Sequence, residues 1–161
     1  GAAAKGYAMD MMDTYLRDSG VTSAVVDFGG SILTIGDNNG ERWNITITAD
    51  ETNSPVGTLK VNEGYIATSN GAKRFVEYDG VKYHHIIDPE TAYPADSGVK
   101  SCTVYSGSGL ISDALSTAFF VMGADKAKEF YDKYDIAEYV ITLTDGTVIV
   151  SDGISADFTA S

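Results

Sequence analysis

Six consecutive residues, Ser112-Asp113-Ala114-Leu115-Ser116-Thr117, put one carboxylate and three hydroxyls within two turns of a prospective helix. On a helix, residues four apart project from one face, so Asp113 and Thr117 can address a single point, with Ser116 beside them. Oxygen donors of this kind suit a hard cation such as magnesium, which keeps water and takes further oxygens from substrate phosphates. The same spacing also fits a helix N-terminus, with Ser112 or Asp113 as the cap and the hydroxyls turned back on the backbone. Spacing alone leaves both readings open.

A second constellation is Tyr83-His84-His85-Ile86-Ile87-Asp88-Pro89, which holds the only two histidines of the chain. A histidine at a strand end beside an aspartate can move a proton near neutral pH. Neighbours in a strand point to opposite faces, so at most one of the pair faces any given site. A structural or surface histidine accounts for the same residues. The third is the opening Gly1-Ala2-Ala3-Ala4-Lys5-Gly6. Small residues entering a helix let backbone amides approach a phosphate, and Lys5 adds a positive charge. It lacks the two spaced glycines and the Lys-Ser/Thr of a phosphate-binding loop.

The elements that must position these groups follow from periodicity. A helix is expected over Ala3–Arg17, where Tyr7, Met11, Met12 and Leu16 recur at helical spacing. Strand patterns follow: Ala24–Phe28, ending in Gly29-Gly30; Ile32–Ile35, ending at Asp37-Asn38-Asn39-Gly40; and the alternating Trp43, Ile45 and Ile47. The Asn-Gly dipeptide between apolar runs is a hairpin signal. Further strands are expected over Gly57–Asn62, Tyr65–Thr68 and Arg74–Tyr78, the last turning through Asp79-Gly80 into Lys82–Ile87. Beyond a polar loop come the strand Lys100–Tyr105, a helix Leu110–Met122 broken by Gly123, a second helix Asp125–Tyr134, and a closing hairpin of Glu138–Leu143 with Thr147–Val150. Segregated helices and hairpin-linked strands give an α+β class with mostly antiparallel sheets.

The 161 residues fit a single domain over 1–161 with a real core. A net charge of −12 argues against a nucleic-acid partner, because phosphate contacts need clustered Lys and Arg. By the same token an anionic ligand needs help from a metal ion, a lysine or helix N-terminal amides. The one cysteine, Cys102, cannot form an internal disulfide and reads as a buried, inert thiol. No apolar run reaches membrane-spanning length, and no basic, apolar leader opens the sequence.

Taken in order, the segments resemble the ApbE family. The resemblance is carried by Ala4-Lys5-Gly6-Tyr7-Ala8 with Asp10, by Asp27-Phe28-Gly29-Gly30-Ser31-Ile32, and by Ala67-Thr68-Ser69 with Arg74-Phe75. It is carried most specifically by His85-Ile86-Ile87-Asp88-Pro89-Glu90-Thr91 with Pro94, and it closes with Ser112–Thr117 followed by Phe120-Val121-Met122-Gly123. The family resemblance implies a T-fold-related α+β domain and an FAD:protein FMN transferase. In such enzymes magnesium bridges the pyrophosphate of FAD, FMN passes to a Thr or Ser hydroxyl of an acceptor flavoprotein, and AMP leaves. It further implies Asp113, Ser116 and Thr117 as side-chain metal ligands, Ser116 standing where some relatives have a carboxylate. Ala2 would give the metal its backbone carbonyl, Lys5 and the backbone around Ile87 would contact FAD, and His85 would take the acceptor's proton.

Two departures accompany the resemblance. Ala92 stands where a glycine is usual, which matters if that position needs positive φ. A preceding segment of comparable size, and an aspartate just before the Gly-Ala start, are also expected from the family. That segment would supply much of the flavin pocket, and the expected partners are this segment or a homo-oligomer. Alternatives to the transferase are magnesium-dependent hydrolysis of FAD to FMN and AMP, or a flavin-binding domain without catalysis. The resemblance also implies an extracytoplasmic, lipoprotein-anchored location for the full-length form.

Overall fold

The computed structural model describes residues 3–50, 54–72 and 74–161. The chain starts with helix α1 (Ala4–Asp18) and continues through β1 (Ala24–Asp27), β2 (Ser31–Ile35), β3 (Trp43–Thr48), β4 (Pro55–Val61) and β5 (Gly64–Asn70). A ribbon of β6 (Phe75–Tyr78) and β7 (Val81–His84) precedes β8 (Val99–Ser106) and helix α2 (Gly109–Tyr134). The hairpin β9 (Glu138–Leu143) and β10 (Val148–Val150), a single 3-10 turn at Asp152–Ile154, and β11 (Phe158–Ala160) complete it. The described strand pairs are all antiparallel, so the expected α+β class with antiparallel sheets is what forms.

Six strands in the order β1-β2-β5-β8-β9-β10 make the central sheet. Strand alternation divides its side chains between two layers. On one face Leu33 and Ile35 of β2 and Tyr65 of β5 meet Met9 of α1. Further along the same face Cys102 and Val104 of β8 and Tyr139 and Ile141 of β9 meet Phe119, Phe120 and Ala127 of α2. On the other face Ile66 and Val140 pack against Ile45, Ile47, Leu59 and Val61 of a three-stranded sheet ordered β11-β4-β3. Cys102 is fully buried, and burial pushes its thiol well above the ordinary range, so it stays protonated and inert.

The Asp37–Gly40 turn forms as a tight bend, with Asn39 (φ 56°) and Gly40 (φ 89°) left-handed and Asn38 bridging Glu41. It does not make a hairpin of its flanking strands. β2 stays in the central sheet while β3 pairs with β4 in the outer one, because the apolar faces on either side of the turn are covered by different layers. The helices expected on either side of Gly123 are both present and run on as one element, with Gly123 (φ 84°, ψ 168°) as the break. β11 carried no clear alternation in sequence; it forms by pairing Phe158, Thr159 and Ala160 with β4. Among the described residues no helix is long and apolar enough to cross a membrane.

Candidate functional site

Two helices meet at their N-termini, and each is capped by the other. α1 begins after Ala3, which offers no side-chain cap of its own. Its third amide, on Gly6, donates to Asp113 Oδ2 of α2 at 2.9 Å. In return, Asp10 of α1 accepts from the Gly109 and Leu110 amides that open α2, at 2.6 and 3.0 Å. A carboxylate at a helix N-terminus satisfies amides that lack helical partners and opposes the positive end of the dipole. The crossing is close: a Cβ on Gly6 would run into the Gly109 carbonyl, and one on Gly109 into the Gly6 carbonyl. The capping alternative for Asp113 is therefore realised, but toward α1; the N-cap of its own helix is Ser108.

That crossing forms one wall of a cavity of about 500 Å³. Its lining comes from five separate stretches: Lys5 of α1; Gly29 of the β1–β2 turn; Thr68, Ser69 and Asn70 of β5; Arg74 and His85–Ile87 at the base of the ribbon; and Asp113 and Thr117 of α2. Asp113 is 7% exposed. Oδ2 is held by Gly6, and Oδ1 has no donor among the described residues, so one oxygen is available to the cavity. Thr117, one turn on, lines the same cavity, as its i+4 spacing requires. Ser116 does not. It is fully buried behind the wall, its hydroxyl donating to the Asp113 carbonyl at 3.0 Å and contacting Ser69 Oγ at 2.9 Å.

The two histidines divide as strand alternation requires. His84 Nε2 lies 3.1 Å from the Ala95 carbonyl, while its Nδ1 accepts from the Ile86 amide at 3.3 Å and its ring stands edge-on to Phe120. A carbonyl can only accept, so His84 carries its proton on Nε2 and both nitrogens are occupied. His85 is exposed on the cavity, and its Nδ1 lies 3.2 Å from the Arg74 carbonyl. By the same reasoning Nδ1 carries the proton, and the Nε2 lone pair of neutral His85 has no partner among the described residues. The loop that follows is tied by Ala92 N donating to Asp88 O and Asp88 N donating to Tyr93 O, both 2.8 Å, and closed by a bridge between Ile87 and Pro94. It places Ala92 at φ 61°, the left-handed conformation that favours glycine.

The cavity gathers two cationic side chains of this acidic chain. Lys5 and Arg74 share the lining with a single carboxylate, Asp113, which answers the requirement set by a net charge of −12. Of the residues singled out in the sequence, the structure brings together Lys5, His85, Ile87, Asp113 and Thr117; Ala2 lies outside the described residues. Ser69 and Arg74 sat in a recognised block without a role. Ser69 meets Thr117 because β5 lies beside α2, a contact between residues 48 positions apart, and Arg74 is tied by its carbonyl to His85, eleven positions on. Local spacing carries no such signal.

Residues 1–141 match the profile of the ApbE family. An FAD:protein FMN transferase of Treponema pallidum is 33% identical over 165 residues, covering 96% of this chain and 46% of that protein. One from Escherichia coli K12 is 32% identical over 141 residues, covering 86% and 40%. Among solved structures, an ApbE protein from Thermotoga maritima superposes with a TM-score of 0.88 at 34% identity, covering 98% of this chain and 52% of that one. The flavin transferase ApbE of Vibrio cholerae gives 0.79 at 30% identity, covering 97% and 51%. The chain thus spans about half the length of the relatives it matches.

Proposed function

The chain belongs to the ApbE family, and on that premise we propose that it transfers FMN from FAD to a threonine or serine hydroxyl of an acceptor protein, with magnesium required and AMP released. What carries the reading is the convergence of Lys5, His85, Ile87, Asp113 and Thr117, distant in sequence, on one cavity. The names of the relatives supply the substrate class.

The donors present fit magnesium. Asp113 Oδ1 and Thr117 Oγ1 are oxygens on one helix face, and among the described residues no trio of His, Cys, Asp or Glu forms a closed cage. Magnesium rarely uses such a cage and completes its shell with water and phosphate oxygens. Held by these two residues, it would neutralise charge at the pyrophosphate, the main need of phosphoryl transfer. Lys5, Arg74 and the α1 amides attract and orient the same phosphates. The backbone at Ile87 borders the bound flavin nucleotide. His85 Nε2 accepts the acceptor's hydroxyl proton as that oxygen bonds to the phosphorus of the FMN half. The bond to the AMP phosphate breaks, and AMP leaves with its electron pair.

The test is incubation with FAD, magnesium and an acceptor domain, followed by intact-mass measurement of the acceptor. A flavin adduct that vanishes in Asp113→Ala supports the reading. AMP released without a labelled acceptor reassigns the protein to FAD hydrolysis, and absence of both overturns the enzymatic reading for this chain.

A further inference from the structure

Three hydroxyls behind and beside the cavity wall touch in series: Thr117 Oγ1 to Ser69 Oγ at 3.0 Å, Ser69 Oγ to Ser116 Oγ at 2.9 Å, and Ser116 Oγ to the Asp113 carbonyl at 3.0 Å. Each hydroxyl has one proton. The direction of the chain is therefore set at its inner end, because a carbonyl accepts and never donates. Ser116 gives its proton to Asp113 O. Ser116 must then accept from Ser69. Ser69, its proton committed, must accept from Thr117. Among the described residues the only competing partner for the Thr117 proton is the Asp113 carbonyl at 3.5 Å, at the edge of hydrogen bonding and also inward. Either way the Thr117 hydrogen points into the protein.

We propose that Ser69 and Ser116 are positioning residues that fix the proton order of this relay, so that Thr117 offers the cavity only lone pairs. The inference rests on the reading of Asp113 and Thr117 as cation ligands. A free threonine hydroxyl can turn its hydrogen toward a cation and repel it. Here that orientation is closed off before any ligand arrives, a form of preorganisation in which the supporting hydrogen bonds orient the donor. Ser116 thereby acts without touching the cavity.

The order of protons makes a prediction that simple packing does not. In Ser116→Ala the Ser69 proton loses its acceptor and turns to Thr117, whose own proton is then left with the long 3.5 Å contact to the Asp113 carbonyl and is held inward less firmly. In Ser69→Ala the Thr117 proton loses its near partner. Both variants should bind Mn²⁺ more weakly, by roughly three- to tenfold, the change made by one ordinary hydrogen bond. Ser69→Thr, which keeps the hydroxyl, should restore affinity.

The experiment titrates Mn²⁺ into the full 161-residue chain with FAD present and reads free Mn²⁺ by its electron paramagnetic resonance signal. Thermal unfolding of each variant without metal is measured alongside. Weakened binding in both alanine variants, with recovery in Ser69→Thr and little change in midpoint, supports the relay. Uptake that Asp113→Ala abolishes but Ser69→Ala and Ser116→Ala leave unchanged overturns the relay alone. No uptake by the unaltered chain overturns the cation site and the relay with it. Should Ser116→Ala unfold, Ser116→Cys, a poorer donor in the same shape, takes its place under the same criteria.

Discussion

His84 and His85 are neighbours in the chain with opposite assignments of their ring protons, and their substitutions should separate function from folding. His85→Ala should lower flavin transfer by about 10²- to 10⁴-fold, the usual span of a positioned base, with a midpoint close to that of the unaltered chain. His84→Ala removes the bonds to Ala95 and Ile86 and the edge contact with Phe120. It should cost about 2–3 kcal/mol, measured by denaturant unfolding, and leave the chemistry of the folded fraction intact. Ala92 at φ 61° is a second residue-scale test. Relief of left-handed strain exceeds the added entropy of an unfolded glycine, so Ala92→Gly should stabilise by roughly 0.5–1 kcal/mol, read as a raised midpoint. The side chains that meet on the cavity, Lys5, His85, Asp113 and Thr117, were legible in sequence through their ordered motifs. Ser69 was not given a role, because its contacts with Ser116 and Thr117 exist only once a strand and a helix are brought together.

At the scale of elements, the crossing of α1 and α2 depends on two glycines facing each other. Gly6→Ala improves helix propensity by up to about 1 kcal/mol, yet its Cβ meets the Gly109 carbonyl and the Asp113 side chain. The clash should win, destabilising by more than about 2 kcal/mol and weakening Mn²⁺ binding together, since the same shift moves Asp113. Hairpins were the most legible elements: Asp79-Gly80 and Asp145-Gly146 each close an antiparallel pair where expected. The Asn39-Gly40 signal told of a turn and could not tell which sheet the next strand would join. That choice belongs to the layers, since Ile45 and Ile47 find cover only opposite Ile66 and Val140. β11 was equally silent, because three residues in a mostly polar tail have too short a period to read.

For the whole molecule, stability and ligand binding share one structure, and the two should be linked. FAD with magnesium at a hundred times its dissociation constant should add about 2.7 kcal/mol by mass action. For a chain of this size that is a rise of roughly 5–10 °C in midpoint. Asp113→Asn separates the contributions: an amide oxygen can still receive the Gly6 proton, while its neutral head holds a divalent cation poorly. The variant should melt near the unaltered midpoint without ligand and lose the magnesium-dependent part of the rise. On the proposed reading Asp113 answers to two demands, one on each oxygen. A descendant of such a chain that lost catalysis would still need the aspartate to start its first helix, whereas Thr117 would be at liberty to drift. Among unfamiliar relatives, the aspartate marks ancestry, and the threonine one turn later marks trade still being carried on.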